Sequence, residues 1–162
     1  MNDVARALLE ILLWGMIGTW AMIAVMYASQ NFGWSRLNMP FLLGTGFTAD
    51  RREANVLGFV LYWIVGWLFA LIYYLILAAI GHATWWVGAL VGAVHGLLLL
   101  TAILPLLPYM HPRVASEYDG PTPRRTLEPP GFLALHYGYR TPLITLVAQA
   151  LYGAILGAGF HI

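Results

Sequence analysis

Long apolar stretches without charge alternate along this chain with short segments that carry arginines. From Ala54 to Pro112 the sequence contains no Lys, Arg, Asp or Glu. A helix needs about 20 apolar residues to cross a hydrocarbon layer about 30 Å thick, so this stretch holds two crossings and one reversal, which we place at residues 81–84. Two further charge-free stretches, 11–35 and 141–162, are each long enough for one more helix.

This pattern predicts an all-α membrane protein, a single domain in which four transmembrane helices form a bundle. We expect the helices at residues 4–27, 55–80, 85–107 and 141–160, joined by cytoplasmic loops at 28–54 and 108–140. The first apolar run is longer than the core of a signal peptide and no small-residue cleavage site follows it, so we assign it to a helix. Residues 38–47 are too short to span and are expected to be interfacial or re-entrant.

Composition supports this class and excludes several others. The chain of 162 residues is 60% hydrophobic and only 9% charged, whereas soluble domains have about 25% charged residues. No sizeable domain outside the membrane fits. The absence of cysteine excludes disulfides, thiolate metal sites and cysteine nucleophiles. A net charge of +1 gives no indication of nucleic-acid binding.

The arginines predict the orientation. If four helices alternate, only Arg6 lies at one end of the bundle. The other end carries all the remaining arginines: Arg36, Arg51, Arg52, Arg113, Arg124, Arg125 and Arg140. Because short loops rich in Lys and Arg stay in the cytoplasm, we expect both of these loops to be cytoplasmic and both termini to be external, N-out and C-out.

Helices two and four share a weak pattern. Residues 64–70 align with residues 151–157, and each segment has two small residues four positions apart. With an arginine-bearing loop before each, the chain can be interpreted as two hairpins of the same orientation, a parallel 2+2 repeat. The alternative is that any two glycine-bearing membrane helices align this well.

Glycines recur at a spacing of four on the third and fourth predicted helices. Helix three has Gly88, Gly92 and Gly96, and helix four has Gly153 and Gly157. In lipid, small residues allow helix backbones to approach closely and gain van der Waals contact. These faces either pack helices three and four together or offer a docking face for a homo-oligomer or a larger membrane complex.

Few polar side chains lie inside the predicted helices. His95 is near the middle of helix three, and Gln149 of helix four is at nearly the same depth, so we expect a hydrogen bond between them. That pair either fixes the register of the helices or forms part of a site. Glu10 lies about one turn nearer the outer end and either joins His95 or reaches the headgroups. Thr19 and Thr101 are expected to bond to their own helix backbones.

His111 and His136 border the cytoplasmic loop and are weak candidates for a metal site. No H-E-x-x-H motif, histidine pair at i,i+3 or i,i+4, or C-x-x-C-H motif supports a metal or haem. The sequence requires no cofactor.

Several short motifs of the second half resemble a known group of proteins. They are His95-Gly96, Met110-His111-Pro112, Gly131-Phe132, Tyr137-Gly138, Thr141-Pro142 and Tyr152-Gly153. Together they resemble a family of small uncharacterised bacterial four-helix integral membrane proteins, over most of the chain. The resemblance implies a four-helix fold and a bacterial inner-membrane location, and it implies no activity.

Two functions are compatible with these observations. The first is a non-catalytic accessory or scaffold subunit that packs against itself or a larger inner-membrane complex. The second is a membrane-embedded module that binds a quinone, a proton or a metal through Glu10, His95 and Gln149. The lack of a paired catalytic constellation favours the first and argues against an enzyme.

Overall fold

The computed structural model describes residues 3–162, in which the chain is helical apart from its loops and contains no β-strand. A π turn, Leu99–Ile103, joins the fourth helix to the fifth, and a 3₁₀ turn, Phe132–Tyr137, precedes the sixth. In chain order the helices are α1 (Asp3–Asn31), α2 (Met39–Thr45), α3 (Arg51–Ile80), α4 (Trp85–Leu98), α5 (Leu104–Met110) and α6 (Thr141–Gly159).

Four helices are long and apolar enough to cross a membrane, namely Asp3–Asn31, Arg51–Ile80, Trp85–Met110 and Thr141–Gly159. The third of them combines α4, the π turn and α5. The first extends beyond residue 27, its expected end, because no proline or glycine interrupts residues 28–31. The all-α class therefore agrees with the prediction.

Local signals set the ends of α3. Asp50 caps its first turn, with a side-chain oxygen that accepts from the backbone N–H groups of Arg52 and Glu53 at 2.9 and 2.8 Å. The helix therefore begins at Arg51, earlier than expected. It ends at Ile80. Gly81 caps it in the left-handed conformation, with a φ of 76°, and its N–H donates to the carbonyls of Leu77 and Ala78.

The π turn results from the proline that follows it. Pro105 has no N–H, and its ring would collide with the carbonyl four residues earlier in a regular helix. The chain inserts an extra residue, and the Leu104 N–H donates to the Leu99 carbonyl five residues back. The helical rod thus continues past two prolines to Met110.

α4 and α6 pack backbone against backbone. A Cβ on Gly88 would overlap the carbonyl of Gly153, and one on Gly92 would overlap the carbonyl of Gln149. Gly157 lies in the same way against the carbonyl of Thr84. The glycine faces predicted from the sequence are therefore used inside the chain, where they bring these two helices into close contact.

α1 packs between α3 and α6. Against α3, Gly15 meets Ala70 and Gly66 meets Thr19, and the Trp67 indole donates to a carbonyl of α1 at 3.1 Å. Against α6, the ring of Tyr152 covers Gly18 and the ring of Trp14 covers Gly159. The helices therefore follow the order α3, α1, α6, α4 around the bundle, and α3 barely touches α4 although the two are consecutive.

Residues 38–47, expected to be interfacial or re-entrant, contain α2. Asn38 caps this helix by accepting from the Phe41 N–H at 3.0 Å. α2 lies antiparallel to the first two turns of α3, where Gly58 contacts the Pro40 carbonyl and Gly44 contacts the backbone of Ala54. This close contact shields the short helix on one side.

The two arginine-bearing loops meet at the same end of the bundle. Arg36 forms an ion pair with Glu128 at 2.9 Å and donates to the His136 carbonyl, while the Tyr137 hydroxyl donates to the Glu128 carbonyl at 2.7 Å. Burial and the Glu128 carboxylate raise the pKa of Tyr137 to about 12, so its phenol stays a donor. Ser35 and Thr141 add a buried hydroxyl pair at 2.9 Å.

Gly92→Ala tests the α4–α6 contact. The new Cβ would overlap the Gln149 carbonyl, so the helices must separate, and we expect a loss of about 1–3 kcal/mol in unfolding free energy. The measurement is thermal or denaturant unfolding in mild detergent. Val94→Ala is the control, because Val94 is 66% exposed on the outer side of the same helix. It should change stability by less than about 0.5 kcal/mol. Equal stability of the two variants would contradict the close contact.

Candidate functional site

A cavity of about 260 Å³ lies inside the bundle, lined by residues of α1, α2, α3, α4 and α6. Its wall is mainly apolar and includes aromatic rings and methionine side chains. The polar groups come from the middle of α4 and α6 and from Tyr62 of α3. The lining residues used below are Tyr62, Phe69, His95, Thr145, Gln149 and Tyr152.

His95 faces α3. Its Nδ1 is hydrogen-bonded to the Tyr73 hydroxyl at 3.1 Å, and its ring lies near Phe69 with centroids 4.3 Å apart. A helix turns about 100° per residue, so the side chain beside Gly96, which faces α6, points to the neighbouring face. The predicted hydrogen bond between His95 and Gln149 is therefore wrong, although both residues line the cavity.

Gln149 and Thr145 line the cavity, and each carries a buried polar atom without a partner. Gln149 is 7% exposed and Thr145 is 3% exposed. Within residues 3–162, neither Gln149 Oε1 nor Thr145 Oγ1 has a hydrogen-bond partner. The two residues are one turn apart on α6, so they belong to the same face of the helix.

The other helical threonines show how unusual Thr145 is. Thr19 and Thr101 each donate to the carbonyl four residues earlier, at 2.7 Å, as the sequence predicts. Thr145 has the same option and does not use it. A buried hydroxyl or amide without a hydrogen bond costs about 1–3 kcal/mol of stability. Two such groups on one helix face therefore lower the unfolding free energy of a small protein considerably.

Two tyrosines beside the cavity use their hydroxyl groups within the bundle. The Tyr152 hydroxyl donates to the Gly66 carbonyl at 2.6 Å and ties α6 to α3 across the bundle. Tyr73 lies edge-on to Tyr152, with ring centroids 5.4 Å apart, and uses its hydroxyl on His95. The spare hydrogen-bonding capacity of the cavity therefore lies with His95 Nε2, Gln149, Thr145 and the Tyr62 hydroxyl of α3.

Glu10 is not part of this cavity. Its carboxylate accepts from Arg6 at 3.0 Å, one turn earlier on α1, and from the backbone N–H and ring of His161, each at 3.0 Å. These bonds hold it at the opposite end of the bundle from the arginine-bearing loops. Of the two alternatives for Glu10, pairing with His95 is not observed, because its carboxylate is bonded to Arg6 and His161 instead.

The metal candidates His111 and His136 bond instead to backbone. His111 Nε2 donates to the Leu42 carbonyl at 2.9 Å, and His136 Nδ1 lies 2.9 Å from the Pro129 carbonyl. Within residues 3–162 no group of three or more His, Cys, Asp or Glu residues is placed to hold a metal ion.

His111 fastens the loop after α5 to α2. Its Nδ1 accepts the backbone N–H of Arg113 at 3.2 Å while Nε2 bonds to Leu42, which selects the neutral ring. Burial, with help from the Arg113 guanidinium, lowers the pKa of His111 below its usual 6.5, although the bond to Leu42 acts in the opposite direction.

Much of this site is not evident from the sequence. Thr145, Tyr62, Tyr73 and the aromatic wall were not predicted. One signal was present: Thr145 precedes Gln149 by four residues, a spacing that places two polar side chains on one helix face.

Comparison of the chain with protein-family models, with curated proteins and with solved structures finds no match. The function therefore has to be inferred from the cavity and its polar groups.

Gln149→Leu tests whether the buried amide is unpaired. Leu fills a similar volume without an unmet polar group, so the delipidated protein should gain about 1–3 kcal/mol in unfolding free energy. Gln30→Leu is the matched control: Gln30 donates to the Leu37 carbonyl at 2.9 Å, so its loss should destabilise by about 1 kcal/mol. Thermal unfolding in detergent measures both. Destabilisation by Gln149→Leu would mean that the amide is satisfied.

The His111 bonds predict a pH dependence. Because the folded state binds the proton more weakly than the unfolded state, this contribution to stability is complete above pH 6.5 and is lost progressively as the pH falls below it. Melting temperatures in detergent, measured about one unit above and below this pH, should fall on acidification, and His111→Gln should reduce that fall. His82→Gln, in the exposed turn before α4, should leave it unchanged.

Proposed function

We propose that the protein is a multi-pass membrane protein that binds a lipid-soluble molecule in the cavity inside the bundle, beside the gap between α3 and α4. The observation that supports this most is the pair of buried, unpartnered polar groups of Thr145 and Gln149 on one face of α6. They give an apolar chamber a few convergent hydrogen-bonding groups, which is the usual composition of a small-molecule site.

A purely structural role does not account for these groups. A polar side chain that fixes the register of two helices does so through its hydrogen bond, as Tyr152 does with Gly66. Gln149 and Thr145 have no such bond, so they cost stability without fixing anything. A bound molecule that hydrogen-bonds to them offsets that cost.

The cavity opens sideways. α3 and α4 are spread apart, and the Tyr73–His95 hydrogen bond is the polar link between them near the cavity. Leu98 and Ile103 line the cavity and are about half exposed on the outside of the bundle. A hydrophobic molecule in the bilayer can therefore enter between these helices without passing through water.

The scaffold function has less support. It relied on glycine faces that could receive a partner, and Gly88, Gly92, Gly153 and Gly157 are covered by packing within the chain. A homo-oligomer or larger complex would have to use other surfaces.

The location that fits this function is a bacterial inner membrane with the two arginine-bearing loops in the cytoplasm. Both loops lie at one end of the bundle, and the pairing of α1 with α3 and of α4 with α6 suits a parallel 2+2 arrangement. Single-cysteine variants test the orientation, since the chain has no cysteine. An impermeant reagent should label His82→Cys in intact cells and spare Asp119→Cys; the reverse pattern would overturn the orientation.

A cavity-filling pair tests the binding function. Val65 lines the cavity, so Val65→Phe should block it, whereas Val60→Phe adds the same ring to the exposed side of α3. We expect mass spectrometry of solvent extracts to find a lipid-soluble molecule with the wild type and the Val60 variant, and several-fold less of it with the Val65 variant. Equal amounts from both variants, with normal folding, would contradict ligand binding in this cavity.

A further inference from the structure

The chemistry of the cavity wall narrows the class of molecule that it can bind. This step depends on the proposed function, since it specifies the ligand of the same site. Three properties of the wall decide it: its charge, the donor and acceptor character of its polar groups, and its shape.

The head of the ligand has to be neutral. None of the residues that line the cavity is an Asp, Glu, Lys or Arg. A phosphate or carboxylate brought into this apolar space would have no compensating charge, and burying an unpaired charge is far more costly than burying a neutral polar group. Phospholipid headgroups and fatty-acid carboxylates are therefore poor occupants.

Every spare polar group can act either as a donor or as an acceptor. Thr145 has a rotatable hydroxyl, and the Gln149 amide offers an N–H₂ and a carbonyl oxygen. His95 Nε2 is a donor when the Tyr73 hydroxyl donates to Nδ1, and an acceptor when Nδ1–H donates to the Tyr73 oxygen. The wall contains no pure donor such as Lys or Arg and no pure acceptor such as a carboxylate.

Such groups suit a ligand head group whose oxygen atoms accept hydrogen bonds in one redox form and also donate them in the other. The carbonyl oxygens of a quinone accept hydrogen bonds, and the hydroxyl groups of the corresponding quinol also donate them. A rigid donor array would favour the quinone and a rigid acceptor array the quinol. The groups of this cavity can serve both forms by rotation of a hydroxyl, choice of amide atom and change of tautomer.

The walls and the opening fit the rest of such a molecule. The rings of Tyr62, Phe69 and Tyr152 and the thioethers of Met22 and Met26 provide flat and adaptable apolar surfaces for a conjugated ring. The opening between α3 and α4 lets a hydrocarbon tail extend outside the bundle.

We propose that the cavity binds a quinone and its quinol, with Thr145 and Gln149 on α6 and His95 on α4 as the hydrogen-bonding groups. The proposal concerns binding of both redox forms and assigns no electron transfer to this chain.

The test is a titration in detergent with a short-tailed naphthoquinone, with its quinol kept reduced under anaerobic conditions, and with a prenol, a diacylglycerol and a fatty acid. We expect quinone and quinol to bind with dissociation constants within about tenfold of each other, and the fatty acid not to bind. Thr145→Val and Gln149→Leu should each weaken both forms by about tenfold, as expected for one lost hydrogen bond. Thr101→Val, which changes an exposed threonine bonded to its own helix, should have no effect.

His95 distinguishes hydrogen bonding from packing. His95→Gln retains a group that can donate or accept and should keep both affinities, whereas His95→Leu should weaken both.

Binding of only one redox form, or unchanged affinity in the Thr145 and Gln149 variants, would overturn the proposal. If the prenol or the diacylglycerol binds to the wild type but not to the Val65→Phe variant, and the quinones bind to neither, the ligand class is wrong and the lipid-binding function stands. If no neutral probe binds to folded protein, both fail.

Discussion

The contact of α4 with α6 without intervening side chains is the constraint on which the rest of the bundle depends. The carbonyls of Gln149 and Gly153 occupy the space that Cβ atoms would need on Gly92 and Gly88, so the two helices are in close backbone contact in this register. That register puts Gly96 against Gln149 and turns His95 away toward α3. α4 packs closely on α6 and only loosely on α3, and the cavity lies beside this loose contact.

The buried polar groups of the bundle fall into two classes, those with a hydrogen bond and those without one. Thr19, Tyr152 and Tyr73 each have a hydrogen bond inside the bundle. Thr145 and Gln149 do not, and they lie together beside the cavity. Where most buried polar groups are satisfied, the unsatisfied ones indicate where the structure departs from maximal stability, and such departures are typical of binding sites.

The helices could be predicted from the sequence because charge, length and glycine spacing act along the chain. The four apolar stretches, the turn at residues 81–84 and the glycine faces all follow from local patterns. The site could be predicted only in part, because depth along a helix does not determine which neighbour a side chain faces. His95 and Gln149 are at similar depths and face one cavity without touching, and Glu10 is fixed by His161, a residue far away in sequence. The π turn shifts the face of the helix after Leu98. It follows from the missing N–H and the ring of Pro105, which a hydropathy pattern does not reveal.

The weak contact between α3 and α4 has a consequence for the order of assembly. α1 and α3 can pair as soon as both are in the membrane, but α4 has its main partner in α6, which follows the long loop after Met110. At about 5–20 residues per second, synthesis of that loop and α6 leaves α4 unpaired on the order of seconds. During this interval the glycine face of α4 is not covered by α6. Cross-linking of ribosome-arrested chains, stopped before α6, would show α4 accessible to insertion factors or membrane chaperones, and completion of α6 would close that face.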